Sequence, residues 1–293
     1  MLFLVMWAFL LPERPVAAGS VTDQAGRRVM VPDDPERIVS LAPSITEIIF
    51  ALGREDRLRG VTRFSDFPPA ARKYPKIGSY IRLDLEKIVA LKPDLCIATK
   101  DGNPREVVLR LSAFGIPVYV VDPRDLDSVM ETILEIGRLL DAESRAESVV
   151  AAMRSRIRHV TALVATTTRR PRVFFQIGIN PIVSAGTRTL VHQMIVLAGG
   201  KNLAAGPVSY PRFSREQVLA LRPEVLIITS MARGETFKRV KAQWRRWPDL
   251  PAVRDHRILL VDSNLFDRAT PRLVDALERL VRLIHPELFK GKE

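Results

Sequence analysis

Residues 85–99 read LEKIVALKPDLCIAT, and residues 215–229 read REQVLALRPEVLIIT. Six of the fifteen aligned positions are identical: Glu86/Glu216, Ala90/Ala220, Leu91/Leu221, Pro93/Pro223, Ile97/Ile227 and Thr99/Thr229. Lys92/Arg222 and Asp94/Glu224 keep their charge. Each copy is a short helical pattern stopped by a proline, which cannot continue the helical hydrogen-bond ladder, followed by an apolar run of strand character. One unit written twice, 130 residues apart in a chain of 293, predicts two similar halves.

The flanking sequence repeats in the same order. RIVSL (37–41) reads as a buried strand and is matched by RVFFQIG (172–178). IPVYVVD (116–122) is matched by HRILLVD (256–262). Offsets of 135, 130 and 140 residues at the first, central and last strands drift little. LRGVTRF is a further strand candidate. SITEIIFALG (44–53) reads as a helix with Ser44 as N-cap, Glu47 as the capping-box residue three positions on, and Gly53 as the stop. VHQMIVLAGG (191–200) is a helix ended by glycines. Short strands alternating with helices predict an α/β fold with mainly parallel sheets.

Residues 126–166 join the halves without a proline and with a single glycine. Val149, Met153, Ile157, Val160 and Val164 fall at helical spacing. A helix over 142–165 would be about 36 Å long. The expected organisation is a signal peptide over 1–18, an N-terminal lobe over 19–124, a stiff backbone helix over 125–168 and a C-terminal lobe over 169–293.

The export reading rests on LFLVMWAFLL (2–11), ten apolar residues, which fall short of the roughly 20 a bilayer span needs. Small residues follow, with cleavage expected near Ala18, although no Lys or Arg precedes the apolar run. The single cysteine, Cys96, lies in an apolar strand and reads as core. The net charge is +12, with 35 arginines among 45 basic residues. These read as scattered singly and in pairs, without a dense tract or interleaved aromatics. The expectation is a solvated surface and no nucleic-acid partner.

Two lobes on one long helix behind a leader resemble the helical-backbone class of periplasmic solute-binding proteins, which serve ABC importers of cobalamin, ferric siderophores and haem. The cobalamin-binding branch is the most similar, through RIVSLAPSITEIIFALG, FSDFPPAARKYPKIGSY, LDLEKIVALKPDLCIA, RVFFQIGINP, FSREQVLALRPEVLIIT and SNLFDRATPRL, spanning about residues 36–285. The resemblance implies a monomer that grips cobalamin or a related corrinoid between its lobes, with no cofactor of its own. It implies aromatic walls at Phe64, Tyr80 and Tyr210, and a closing loop of Asn264, Leu265, Phe266, Asp267 and Arg268. A corrin is a broad apolar ring rimmed with amides, which suits aromatic walls and a few polar groups. The tyrosines also fit ordinary packing. Leu265, Thr99 and Ile177 stand where that branch has aromatics, and Asn264 replaces an acid. A different ligand, a ferric siderophore or haem, therefore stays open.

Glu86 and Glu216 fall at the second position of their helices. They complement the helix dipole, or, as the resemblance implies, dock on arginines of the importer's two membrane subunits. Ser214 and Gln217 predict a capping box, and Asp84 an N-cap. An enzyme is not expected: no nucleophile elbow, phosphate loop or His-x-x-x-His pair occurs, and His159, His192, His256 and His285 are isolated.

Overall fold

The computed structural model describes residues 18–229 and 235–289. The expected signal peptide lies outside the described residues up to Ala18, where the first strand begins.

A hairpin of β1 (Ala18–Thr22) and β2 (Arg28–Pro32) precedes the first lobe. That lobe contains β3 (Ile38–Ser40), α1 (Pro43–Ala51), β4 (Leu58–Gly60), the small ribbon β5 (Gly78–Ser79) and β6 (Arg82–Leu83), α2 (Leu85–Ala90), β7 (Leu95–Thr99), α3 (Arg105–Ala113) and β8 (Val118–Val121). Its sheet runs β4-β3-β7-β8 and is parallel throughout. Next come α4 (Leu126–Leu139) and α5 (Glu143–Ala165). The second lobe contains β9 (Arg172–Gly178), β10 (Ile182–Ser184), α6 (Leu190–Leu197), β11 (Lys201–Asn202), β12 (Arg212–Phe213), α7 (Arg215–Leu221), β13 (Val225–Ile228), α8 (Glu235–Trp244), α9 (Pro251–Arg254), β14 (Ile258–Leu260), α10 (Ser263–Phe266) and α11 (Leu273–Ile284). Its sheet runs β12-β10-β9-β13-β14; the β9-β13-β14 core is parallel and β10 and β12 form an antiparallel edge.

The repeat is therefore structural: β3-β7-β8 corresponds to β9-β13-β14. Both copies of the helix end on a left-handed residue, Lys92 (φ 45°) and Arg222 (φ 47°), just before the proline. The retained acid after that proline has the same task in each lobe. Asp94 Oδ1 accepts from the Arg37 backbone N–H at 2.9 Å, and Glu224 Oε2 from that of Arg172, also at 2.9 Å. These bonds pin the central strand to the start of the first strand. Cys96 is fully buried in β7, as expected, and burial pushes its thiol pKa up.

The linker differs from its sequence reading. It is a helical hairpin, broken at residues 140–142, where Asp141 takes φ 53°. The lone glycine explains the fold-back: a Cβ on Gly137 would stand 2.5 Å from the Ala146 methyl, so its absence lets α4 and α5 close on each other. Arg54 of the first lobe donates to the Leu140 and Asp141 carbonyls at the break. The 23-residue α5 then reaches both lobes. Arg145 Nε donates to Ala51 O at 3.0 Å, and Arg156 pairs with Asp275 at 2.6 Å and Glu278 at 2.7 Å on α11. One continuous core runs from Ile38 and Ile45 through α4 and α5 to Phe175 and Leu277, while smaller cores cover the outer face of each sheet.

Candidate functional site between the lobes

The first helix leads to the seam between the lobes. Ala42, not Ser44, is the N-cap of α1, and Glu47 closes no capping box. Glu47 is buried, with 2% of its side chain exposed, and its two oxygens face two arginines of the other lobe. Arg268 Nη1 donates to Glu47 Oε1 at 2.8 Å and to Asp66 Oδ1 at 3.0 Å. Arg268 Nη2 donates to Phe64 O at 3.0 Å and to Asn264 Oδ1 at 2.7 Å. Arg272 Nη1 donates to Glu47 Oε2 at 3.2 Å while its guanidinium lies 3.6 Å from the centre of the Phe67 ring. Burial raises the Glu47 pKa against the lowering pull of Arg268 and Arg272.

Arg268 is thus committed to protein acceptors and ties the lobes together, whereas the resemblance implied a member of a loop that closes on the ligand. Glu47, which the sequence reading assigned to helix capping, is the residue that was missed. The signal lay in its neighbours: a charged side chain among Ile45, Ile48 and Ile49 on a buried helix requires a partner.

The aromatic residues gather beside this clamp. Phe64 is 40% exposed, with the Arg63 guanidinium 4.8 Å from its ring centre. The Tyr80 ring meets it edge-on at 6.2 Å. Asn103, buried and absent from the sequence reading, holds Tyr80 in place. Its Nδ2 donates to Tyr80 O at 2.7 Å and Leu41 O at 2.9 Å, and its Oδ1 accepts from the Thr99 backbone N–H at 2.7 Å. Gly102 allows the close approach, since a Cβ there would sit 3.0 Å from the Tyr80 ring.

Tyr210 comes from the other lobe and is 52% exposed. Crowding, then the charges of Asp101 and Asp267, raise its pKa, so the phenol stands near an acid from each lobe. Asp267 is open to solvent yet crowded by protein. That crowding, reinforced by Asp262 and opposed by Thr229 and Arg268, lifts its carboxyl to about 7. Thr229 Oγ1 donates to Asp267 Oδ2 at 3.4 Å. Thr99 and Thr229, the last identical pair of the repeat, mark the carboxyl ends of the two central strands, the edge where α/β sheets place ligands.

Phe266 is a correction to the expected closing loop: it is fully buried, its ring 6.0 Å from that of Phe175, and belongs to the core. Leu265 is half-buried and packs against the same core. Among the described residues no group of three or more His, Cys, Asp or Glu could hold a metal ion. A separate recess of about 320 Å³ lies between α4 and α5, where Leu134 and Val150 are outnumbered by Arg138, Glu143, Glu147 and Arg154. It offers no aromatic surface.

A profile of the periplasmic binding proteins matches residues 38–265. The chain belongs to that family. Its relatives are substrate-binding proteins. The vitamin B12-binding protein of Photorhabdus laumondii is 32% identical over 252 residues, covering 86% of this chain and 88% of the relative. The crystal structure of the periplasmic vitamin B12 binding protein BtuF of Vibrio cholerae superposes with a TM-score of 0.77 at 30% identity, over 88% of this chain and 99% of that one. The heme-binding protein RhuT from Roseiflexus, in apo form, superposes with a TM-score of 0.79 at 32% identity, over 86% and 99%. The two α/β lobes of this binding protein are those of the family. Glu86 and Glu216 lie exposed in the first turns of α2 and α7 and take no part in the hydrogen bonds of the clamp.

Proposed function

We propose that this protein captures cobalamin or a related corrinoid between its lobes, outside the cytoplasm, and hands it to an ABC importer. The observation that supports the reading is the set of aromatics at the seam, Phe64 against Tyr80 on one lobe and an exposed Tyr210 on the other, with polar groups suited to amides. Aromatic faces match the apolar faces of a corrin. An amide both donates and accepts, and Asp267, titrating near 7, can do either in return. Asn264 gives its carbonyl oxygen to Arg268, leaving its NH2 to donate. In this reading residues 19–124 and 169–293 grip the ligand, the α4–α5 hairpin limits their swing, and the exposed Glu86 and Glu216 each meet one membrane subunit of the importer.

Calorimetry on the chain without residues 1–18 tests the ligand. One cobalamin should bind per chain at submicromolar affinity, about −8 kcal/mol or stronger. Phe64→Ala should weaken it about tenfold through the lost aromatic contact. Heat with a ferric siderophore and none with cobalamin or cobinamide would refute the corrinoid assignment. The heme-binding neighbour favours one competitor specifically: a haem absorbance band with no corrinoid binding would move this site to that ligand.

A further inference from the structure

Residues 238–247 read KRVKAQWRRW, five basic residues and two tryptophans without an acid. This overturns the reading of the basic residues as scattered and free of aromatics. The structure places the tract on α8 and the turn after it. Val240 and Trp244 are buried against Val218 of α7 and Leu226 and Ile228 of β13, and Trp244 Nε1 donates to Gln176 Oε1 at 2.9 Å. That apolar face orients the helix, leaving Arg239, Arg245 and Arg246 exposed and Lys241 and Trp247 half-buried. Among the described residues, Arg239, Lys241, Arg245 and Arg246 form no ion pair.

The tract lies beside a particular neighbour. Arg215, the first residue of α7, places its guanidinium 5.2 Å from the Trp247 ring centre and 6.0 Å from that of Trp244. The end of α8 therefore adjoins the helix start that presents Glu216. The corresponding helix of the first lobe, α3, has no such tract: its Arg110 pairs with Glu106 at 3.5 Å. The tract is therefore not repeated on α3.

We propose that this surface rests on the anionic phospholipid headgroups of the membrane that holds the importer. The orientation rests on the docking reading above. A basic site that receives Glu216 would repel Arg245 and Arg246, so their counterpart lies outside it. Guanidinium groups match phosphate oxygens in a bidentate manner, and a half-buried tryptophan amid basic residues suits the headgroup layer.

Flotation on vesicles tests this without any importer. At low salt the protein should partition onto phosphatidylcholine vesicles containing about a quarter phosphatidylglycerol and not onto pure phosphatidylcholine, and about 0.5 M salt should release it. Arg245→Gln with Arg246→Gln should lower that partition roughly 25-fold, about fivefold per charge. Arg105→Gln with Arg110→Gln on the first lobe should leave it within about twofold, because the residual pattern there is mixed. Unaltered circular dichroism of both variants controls for folding. Absence of partition at low salt, or equal partition of the α8 variant, overturns the proposal. So does a variant that loses affinity only for an importer in pure phosphatidylcholine nanodiscs, which would assign the arginines to an acidic protein surface. Normal transport by Glu216→Ala would defeat the docking reading while leaving the vesicle result standing.

Discussion

Glu47 and Glu216 place the same carboxyl group in opposite settings. Glu47 is enclosed at the seam, shared by Arg268 and Arg272, and burial raises its pKa despite both charges. Glu216 is exposed at a helix start, where its own backbone N–H, Ser214 and Arg215 lower its pKa. The seam carboxylate is committed to joining the lobes. The tip carboxylate keeps its charge in water, available to another molecule. Burial, and not residue type, separates an architectural charge from one that a partner can use.

The largest effect that would break this comparison is at the seam. Glu47→Ala should cost about 3 kcal/mol in urea unfolding, because it takes the carboxylate from Arg272 and leaves Arg268 with Asp66 alone as its acid, and both arginines are mostly enclosed. A cost below about 1 kcal/mol would make the seam no different from a surface pair. Arg268→Ala should also loosen ligand binding, through the lobe spacing and not through a lost contact. Its ligand dissociation should then speed up for corrinoids with and without intact amides alike, whereas a direct contact would show amide dependence.

A smaller effect belongs to Asp267. Its folded-state pKa, about 7, lies above the usual carboxylate range, so the folded protein holds this proton more tightly than the unfolded chain. The stabilisation is present at acid pH and is lost as pH rises through about 7. Asp267→Asn should flatten the change in melting temperature between about pH 4 and 7. Its exposure to water makes the effect modest. An unchanged slope would place the titration elsewhere.

The smallest change in the isolated protein is at the tips. Glu86→Ala and Glu216→Ala should leave melting temperature and ligand affinity unchanged within error, since Asp84 and the Ser214–Gln217 box already cap the two helices. Each should weaken association with the importer in reconstituted vesicles, and the double variant should abolish transport. Normal transport by the double variant would reduce the repeated glutamates to helix-start residues.

Much of this was legible in the chain. The repeated helix, proline and strand set the two α/β lobes, because these depend on local hydrogen bonding and on uninterrupted apolar runs. Phe64, Tyr80 and Tyr210 were legible as aromatic candidates through resemblance alone. The break in the linker was less visible: residues 140–142 contain neither proline nor glycine, and the cause is a contact between Gly137 and Ala146 on facing helices. The exposed and buried members of the loop 264–268 could not be separated by pattern either, since Phe266 turns to Phe175 and Arg268 to Glu47, both distant in sequence.

The sequence by itself determined the duplication, the α/β class, the capped starts of α2 and α7 and the chemistry at their tips. Each depends on residues within a few positions of one another. Only the tertiary structure decided that Glu47 serves the seam, that Arg268 is consumed by it, and that a basic stretch lies beside Glu216. A charge's role depends on what surrounds it in space, and those surroundings come from segments up to 225 residues away.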